Sequence, residues 1–289
     1  MKSPHFSYSR PHTLIEVFDL LDCYGDDACI LAGGQSLIPS LNMRLSSPVV
    51  LIDINCISEL NGIHQENDGL RIGALARHYE VENSPLVAEF TPLLSMAMPF
   101  VAHTAIRSRG TFGGSLALAD AAAEIPALML AHDGIVLAES RHGQRQIPAD
   151  EFFLGLYSTA LESNEIITGA TFTRPPKYSY FVFKELARRH GDYATAGVSI
   201  AYTHVQEGVD RLKIVYFGVA DRPIGDFALA LKLVSAPLTQ ENILNALEYF
   251  GKDLELFADV HHDVDTKLHL LKVLLKRALL ELYWKIQNA

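Results

Sequence analysis

Two short segments of this 289-residue chain carry residue types suited to holding an anion. The first is Ala32-Gly33-Gly34-Gln35-Ser36-Leu37, and the second is Gly110-Thr111-Phe112-Gly113-Gly114-Ser115. Glycine lets a backbone approach a ligand closely and turn successive N–H groups into one concavity, while Ser and Thr hydroxyls add donors. Two such turns suit the two phosphates of a diphosphate. The same glycines could supply only the positive φ of a tight turn, so either segment alone leaves both readings open. The sequence has no G-x-G-x-x-G after a strand and no G-x-x-x-x-G-K-[ST], which removes a Rossmann unit and a P-loop. Any nucleotide must be held by another geometry.

Strands and helices must fix those turns in space. Thr13-Leu14-Ile15-Glu16 reads as a capping box opening an amphipathic helix, with Leu14, Phe18 and Leu21 on one face and Gly25 closing it. An apolar strand over 28–31 runs straight into the first glycine pair, and Val49 to Ile54 reads as a buried strand. Strands are expected at 69–75, 135–139 and 166–172, one long Pro-interrupted helical stretch at 86–106, and a helix at 125–131. Arg174-Pro175-Pro176-Lys177 is the strongest linker signal, so the chain is expected to divide into 1–175 and 176–289. Beyond it, 178–186, 196–204 and 212–219 read as an antiparallel meander. A helix introduced by Thr239 follows, then a long one over 266–287. Leu268, Leu271, Leu275, Leu279 and Leu282 form a stripe on that last helix with Lys272 and Lys276 opposite, which reads as core packing.

Composition bounds the partners. Hydrophobic residues are 49% and charged residues 20%, proportions of a folded globular chain. The 24 Lys and Arg against 34 Asp and Glu give a net charge of −10, which disfavours nucleic acid and anionic membrane surfaces. Cys23, Cys29 and Cys56 form no C-x-x-C pair, so free thiols and no metal site are expected. No stretch reaches the ~18 apolar residues of a membrane span and the N-terminus lacks a leader pattern, so a cytoplasmic chain is expected. No Ser-His-Asp or Cys-His arrangement stands out, and no catalytic residue is assigned.

Three ordered blocks resemble a known family. Leu31 to Pro39, with Val50 to Asn55, is similar to the first FAD-diphosphate turn of the medium, flavin-carrying subunit of bacterial molybdenum hydroxylases. That group includes the carbon monoxide dehydrogenase, nicotine dehydrogenase and xanthine dehydrogenase types. Ile106 to Asp120, continuing to Pro126, resembles the family's second turn, and Glu185 to Ala194 resembles the start of its C-terminal domain. The resemblance covers essentially the whole chain. It implies an α+β fold with a PCMH-type, vanillyl-alcohol-oxidase-like FAD-binding domain of two α/β subdomains, about 1–55 and 56–175. A small C-terminal α+β domain with an antiparallel sheet and helices follows at 176–289.

Carried over position by position, Ala32, Gly33, Gly34, Gln35, Ser36 and Leu37 would line the diphosphate together with Gly110, Thr111, Gly113, Gly114 and Ser115. Ala102, Ile106, Leu118, Asp120 and Glu124 would line the rest of the FAD. Ile166 would lie near the flavin ring and Tyr193 beside the isoalloxazine. Asp120 and Glu124 could instead satisfy helix N–H groups, and Tyr193 could be a core aromatic. Many relatives have His-Ala-Asp-Pro where this chain has Leu118-Ala119-Asp120-Ala121, and some carry lysine at the position of Glu185. Arg188, Arg189 and His190 stay unassigned.

The resemblance implies FAD in this chain, molybdopterin only in a large partner subunit and [2Fe-2S] clusters only in a small one, assembled as a dimer of heterotrimers. Electrons would pass from those clusters through FAD to an external acceptor, redox chemistry that no protein side chain here supplies. The alternatives are a self-sufficient flavin oxidoreductase on the same fold and a scaffold subunit without cofactor. A side chain at position 114 is expected to fill the cradle. Gly114→Val should therefore abolish flavin retention in a chain that still folds, read as flavin content after purification.

Overall fold

The computed structural model describes residues 2–205 and 210–288. Its first layer is a parallel sheet in the order β1-β3-β2, built from β1 (Ser7–Ser9), β2 (Ala28–Leu31) and β3 (Val50–Asp53). Between β1 and β2 runs α1 (Leu14–Tyr24), whose first turn is closed by the Thr13 hydroxyl accepting from the Glu16 amide. The Glu16 carboxylate reaches back to the His12 amide at 2.7 Å, one residue beyond the expected box. Crossing from β2 to β3, α2 (Leu37–Asn42) is separated by two residues from the first glycine pair. Val17, Phe18 and Leu21 pack on Val50, Ile52 and Ile54. β1, three largely exposed residues on the edge of this sheet, carries no periodic signal in the sequence.

The second layer is an antiparallel sheet in the order β4-β5-β10-β6-β7. Its strands are β4 (Ile63–Glu66), β5 (Gly69–Gly73), β6 (Ile135–Ser140), β7 (Gly143–Pro148) and β10 (Ile166–Thr173), with the hairpin β8 (Phe153–Gly155) and β9 (Ser158–Thr159) before β10.

Helices fill the span between β5 and β6. The 86–106 stretch, expected as one interrupted helix, is three: α4 (Pro85–Phe90), α5 (Pro92–Ala97) and α6 (Thr104–Arg107), preceded by α3 (His78–Asn83). Pro85 and Pro92 each occupy the first helical position, where a missing N–H costs nothing, so each starts a new helix. The 110–115 segment also departs from expectation. Thr111 caps α7 (Phe112–Leu118) by accepting from the Gly114 amide at 3.2 Å, so Gly113, Gly114 and Ser115 form the first turn of a helix. α8 (Glu124–Ala131) then lies deep in the central core, and α9 (Ala149–Phe152) follows β7.

The third layer is the antiparallel sheet β11 (Ser179–Ala187), β12 (Ala194–Thr203), β13 (Arg211–Phe217) and β14 (Ile224–Gly225). Its outer face is covered by α10 (Phe227–Val234), α11 (Gln240–Leu247) and α12 (Val264–Gln287). The expected stripe of α12 is buried at Leu271, Leu275, Leu279 and Leu282, while Lys272 and Lys276 are exposed. Phe183, Val215 and Phe217 point the other way and complete the central core with Phe112 and Phe152.

Backbone bonds tie this sheet to the loop after α7. The Gly218 amide donates to Ala121 O at 2.8 Å and the Ala194 amide to Ala122 O at 3.4 Å. Behind them, the buried Lys267 ammonium donates to Gly218 O and pairs with Asp259, both at 2.8 Å.

α7 sits close on the end of β5. The Gly113 amide donates to Ala74 O at 2.8 Å, and a Cβ on Gly113 would lie 2.6 Å from the Ala74 Cβ. Gly113→Val is therefore expected to force α7 outward and to lower stability by about 1–3 kcal/mol, the usual cost of overpacking, measured by urea unfolding.

Candidate functional site

The two glycine segments meet backbone to backbone. A Cβ on Gly33 would lie 2.5 Å from Arg109 O and 2.9 Å from Gly110 Cα, so this approach exists only because residue 33 has no side chain. Gly34 follows in the left-handed region at φ +72° and turns the chain into α2. Among the described residues, the amides of Gly33, Gly34, Gln35 and Ser36 donate to no protein group. Four successive unclaimed N–H groups are what an anion-binding concavity requires. Ala32, Gly33, Gly34 and Gln35 line a cleft of about 460 Å³ whose other walls include Asp53, Asn55 and Arg109.

Side chains outside both segments clamp the junction. Asp53, at the end of β3, accepts from the Asn55 amide at 3.0 Å and from the Asn55 side chain at 2.6 Å, and its other oxygen accepts from the Tyr8 phenol. Partial burial works to raise the Asp53 pKa, but the bonds from Tyr8 and Asn55 outweigh it and hold it below the usual carboxylate range. Asn55 Nδ2 also donates to Ala32 O at 2.8 Å, and Asn55 Oδ1 accepts from Arg77 Nη2 at 2.6 Å. Arg77 Nη1 donates to Arg109 O. One continuous path of hydrogen bonds thus runs from the first segment through Asn55 and Arg77 to the second. Next along the chain, the buried His78 ring sits 3.0 Å from both Thr111 O and Ser115 Oγ.

A second group of residues gathers around Tyr193, in the loop between β11 and β12. The residue is 57% exposed, while desolvation of the hydroxyl by the surrounding protein, reinforced by Asp120, Tyr157 and Glu124, pushes its pKa up to about 12. The Ser36 hydroxyl lies beside it and links this group to the first glycine segment. Asp120 Oδ1 accepts from the Ala122 amide at 2.9 Å, a local backbone role, and Asp120 Oδ2 accepts from the Tyr157 phenol at 3.3 Å. Burial, with the Asp120 charge nearby, pushes Glu124 up to about 7. Burial and the charge of Glu124 push Glu185 up to about 8, and Glu185 Oε2 is enclosed without a hydrogen-bond partner. Glu185 stands where some relatives were expected to carry lysine, and this region carries carboxyls with raised pKa values instead.

The remaining expected positions are scattered around these two groups. Leu37 opens α2 and half-buried Leu118 ends α7. Ile106 O accepts from the Gly110 amide at 2.7 Å. Ala102 adopts φ +49° and its carbonyl lies against Gly191 in the Tyr193 loop. Ile166 is not brought to the cleft: its side chain is 4% exposed and packs with Ile54 and Leu75 in the first core. Asn55, Arg77, His78 and Tyr157 were not singled out from sequence, because each acts through bonds to residues distant in the chain and belongs to no periodic pattern. The expected consequence of filling position 114 also changes. A Cβ there would lie 2.7 Å from Thr111 Oγ1, so Gly114→Val strikes the cap of α7 first.

Comparison with known proteins decides the family. Residues 4–172 match the model of the FAD binding domain in molybdopterin dehydrogenase, and residues 181–282 match the CO dehydrogenase flavoprotein C-terminal domain. The chain is a flavoprotein medium subunit of the molybdenum hydroxylase family. This flavoprotein is 35% identical to the caffeine dehydrogenase subunit beta of Pseudomonas sp. (strain CBB1), over 96% of this chain and 95% of that one. It is 36% identical, with the same coverage, to the 6-hydroxypseudooxynicotine dehydrogenase complex subunit alpha of Paenarthrobacter nicotinovorans. Its fold matches a chain of the carbon monoxide dehydrogenase from Hydrogenophaga pseudoflava that lacks the Mo-pyranopterin moiety, with a TM-score of 0.93, 34% identity and 99% coverage of both chains.

The flavoprotein is thus an oxidoreductase subunit whose cofactor is FAD, and the molybdenum-pterin and iron–sulfur groups of such complexes reside in other subunits. Its residues fit that cofactor. The unclaimed amides, the adjacent Ser and Thr hydroxyls and Arg109 match the negative charge of a diphosphate, and a Cβ at Gly33 would close the junction that presents them. Among the described residues, no helix is long and apolar enough to cross a membrane.

The raised carboxyl pKa values of the flavoprotein have a thermodynamic sign. Glu124 and Glu185 keep protons in the folded chain that they release when unfolded, so their contribution to stability falls as pH rises from about 5 to about 8. Thermal unfolding of FAD-free chain across that range should show a smaller loss for Glu185→Gln than for wild type. Identical slopes would mean that Glu185 is ionised in the folded chain.

Proposed function

We propose that this chain is the electron-transfer subunit of a molybdenum hydroxylase complex, accepting electrons from [2Fe-2S] clusters of a small partner and delivering them through FAD to an external acceptor. The observation that carries this reading is the junction of Gly33 with Arg109 and Gly110, beside a cleft lined by Gly33, Gly34 and Gln35, whose amides, like that of Ser36, are unclaimed. When bound, FAD supplies the capacity to exchange electrons singly or in pairs. The protein's own task is to hold it, and we assign the diphosphate to Ala32, Gly33, Gly34, Gln35, Ser36 and Leu37 with Gly110, Thr111, Gly113, Gly114 and Ser115. Ala102, Ile106, Leu118, Asp120, Glu124 and Tyr193 line the remainder, with Ile166 behind them. Asn55 and Arg77 keep the two segments in register. The chain divides at 174–177, with the Tyr193 loop brought to the FAD by the second part.

The substrate is selected elsewhere in the complex. Relatives named for caffeine, 6-hydroxypseudooxynicotine and carbon monoxide are 35%, 36% and 34% identical to this chain, so similarity does not follow the compound oxidised. This supports a large molybdopterin-binding partner that hydroxylates the substrate, within a dimer of heterotrimers.

Expression with the neighbouring coding regions should co-purify one smaller cysteine-rich chain and one much larger chain, and substrate should reduce the flavin only when both are present. A lone chain with full dehydrogenase turnover would instead establish the self-sufficient oxidoreductase.

A further inference from the structure

We propose that His78 is a positioning residue for the diphosphate cradle: its Nε2–H engages the Ser115 oxygen and leaves the Ser115 hydroxyl proton to be donated to a phosphate. The inference rests on the FAD reading above and adds to it a residue outside both glycine segments.

His78 is 5% exposed at the start of α3. Its own amide donates to Gly110 O at 3.0 Å, so the residue is already fixed to the second segment by its backbone. Nε2 lies 3.0 Å from Thr111 O and 3.0 Å from Ser115 Oγ, while Nδ1 is enclosed with no hydrogen-bond partner. A Cβ on Gly110 would lie 2.9 Å from Nδ1, so glycine there is what admits the ring.

These partners select the tautomer. With the proton on Nδ1, a buried N–H would have no acceptor and the Nε2 lone pair would face the Thr111 carbonyl. With the proton on Nε2, one N–H is shared between the two oxygens and only a lone pair is left unmatched. An unmade buried donor is the costlier defect, so the proton sits on Nε2. Burial also keeps the ring neutral, with its pKa pushed down to about 4, so the arrangement holds at neutral pH.

The consequence falls on Ser115. Its oxygen accepts on the His78 side, and among the described residues its hydroxyl has no other partner. Ser115 is half-exposed on the first turn of α7, beside the Gly110 segment that touches Gly33. Its proton is therefore free for an anionic oxygen, and bonds of that charge-assisted kind are stronger than neutral ones.

A double-mutant cycle on the full chain tests this, with affinity read from quenching of flavin fluorescence and with FAD and riboflavin as probes. Ser115→Ala and His78→Leu should each weaken FAD binding roughly tenfold or more, the scale of one hydrogen bond to a charged group. The double variant should bind FAD no more weakly than Ser115→Ala alone. Riboflavin, which has no phosphate, should bind all variants alike. His78→Gln, whose amide reaches the Nε2 position, should restore most of the FAD affinity. If His78→Leu does not fold, His78→Asn, whose amide stops short of Nε2, takes its place with the same expectations. Additive losses, or equal losses for riboflavin and FAD, would overturn the inference while leaving the FAD site standing. A wild-type chain that binds FAD no better than riboflavin would overturn the diphosphate reading itself.

Discussion

The missing side chain at Gly33 is the constraint on which the site depends. Because its Cα can touch the Arg109–Gly110 backbone, the ends of two separate layers become one surface. The parallel sheet supplies one rim through β2, and the antiparallel sheet supplies the other through the loop after α6. The path Ala32–Asn55–Arg77–Arg109 then fixes a distance that the glycine only permits. Charge is arranged on the same plan. A chain of net charge −10 repels an anionic ligand at long range, yet the cleft is lined by unclaimed amides and Arg109, while the one carboxylate on its wall, Asp53, is already engaged by Tyr8 and Asn55. Short-range donors in a half-buried cleft outweigh screened charges further away.

The opposite end of the site has a different character. Around Tyr193 the ionisable groups are acids, with Glu124 raised by burial and the charge of Asp120 and Glu185 raised by burial and the charge of Glu124. An elongated cofactor lying between the ends would meet donors for its charged linker at one and a cluster of carboxyl and phenol groups at the other. Such an environment tunes a redox group through hydrogen bonds and local dielectric, the lever left to the protein when the cofactor does the electron chemistry.

Much of this architecture was legible in the sequence. Strands β2, β3, β10, β11, β12 and β13 and the buried stripe of α12 declare themselves through apolar runs or helical spacing, because burial imposes a period on the residues that achieve it. β1 did not, since it pairs only through backbone at an edge and buries almost nothing. The 110–115 segment misled because its glycines look like turn formers. Gly113 and Gly114 sit inside a helix whose cap is Thr111, and Ala74 leaves no room for a larger residue at 113. Of the site itself, the glycines and hydroxyls were visible as residue types in two blocks. Asn55, Arg77 and Tyr157 were not, because a side chain bonding a carbonyl or carboxylate tens of residues away leaves no local trace.

The bonds from Gly218 to Ala121 and from Ala194 to Ala122 make the C-terminal sheet part of the wall that carries Asp120. Lys267, anchored on Gly218 from behind, extends that dependence into the last helix. The two halves of the chain are therefore not exchangeable cassettes. A chimera that joined either part to a distant counterpart would keep that wall only if the amides of residues 194 and 218 still met the carbonyls of residues 121 and 122.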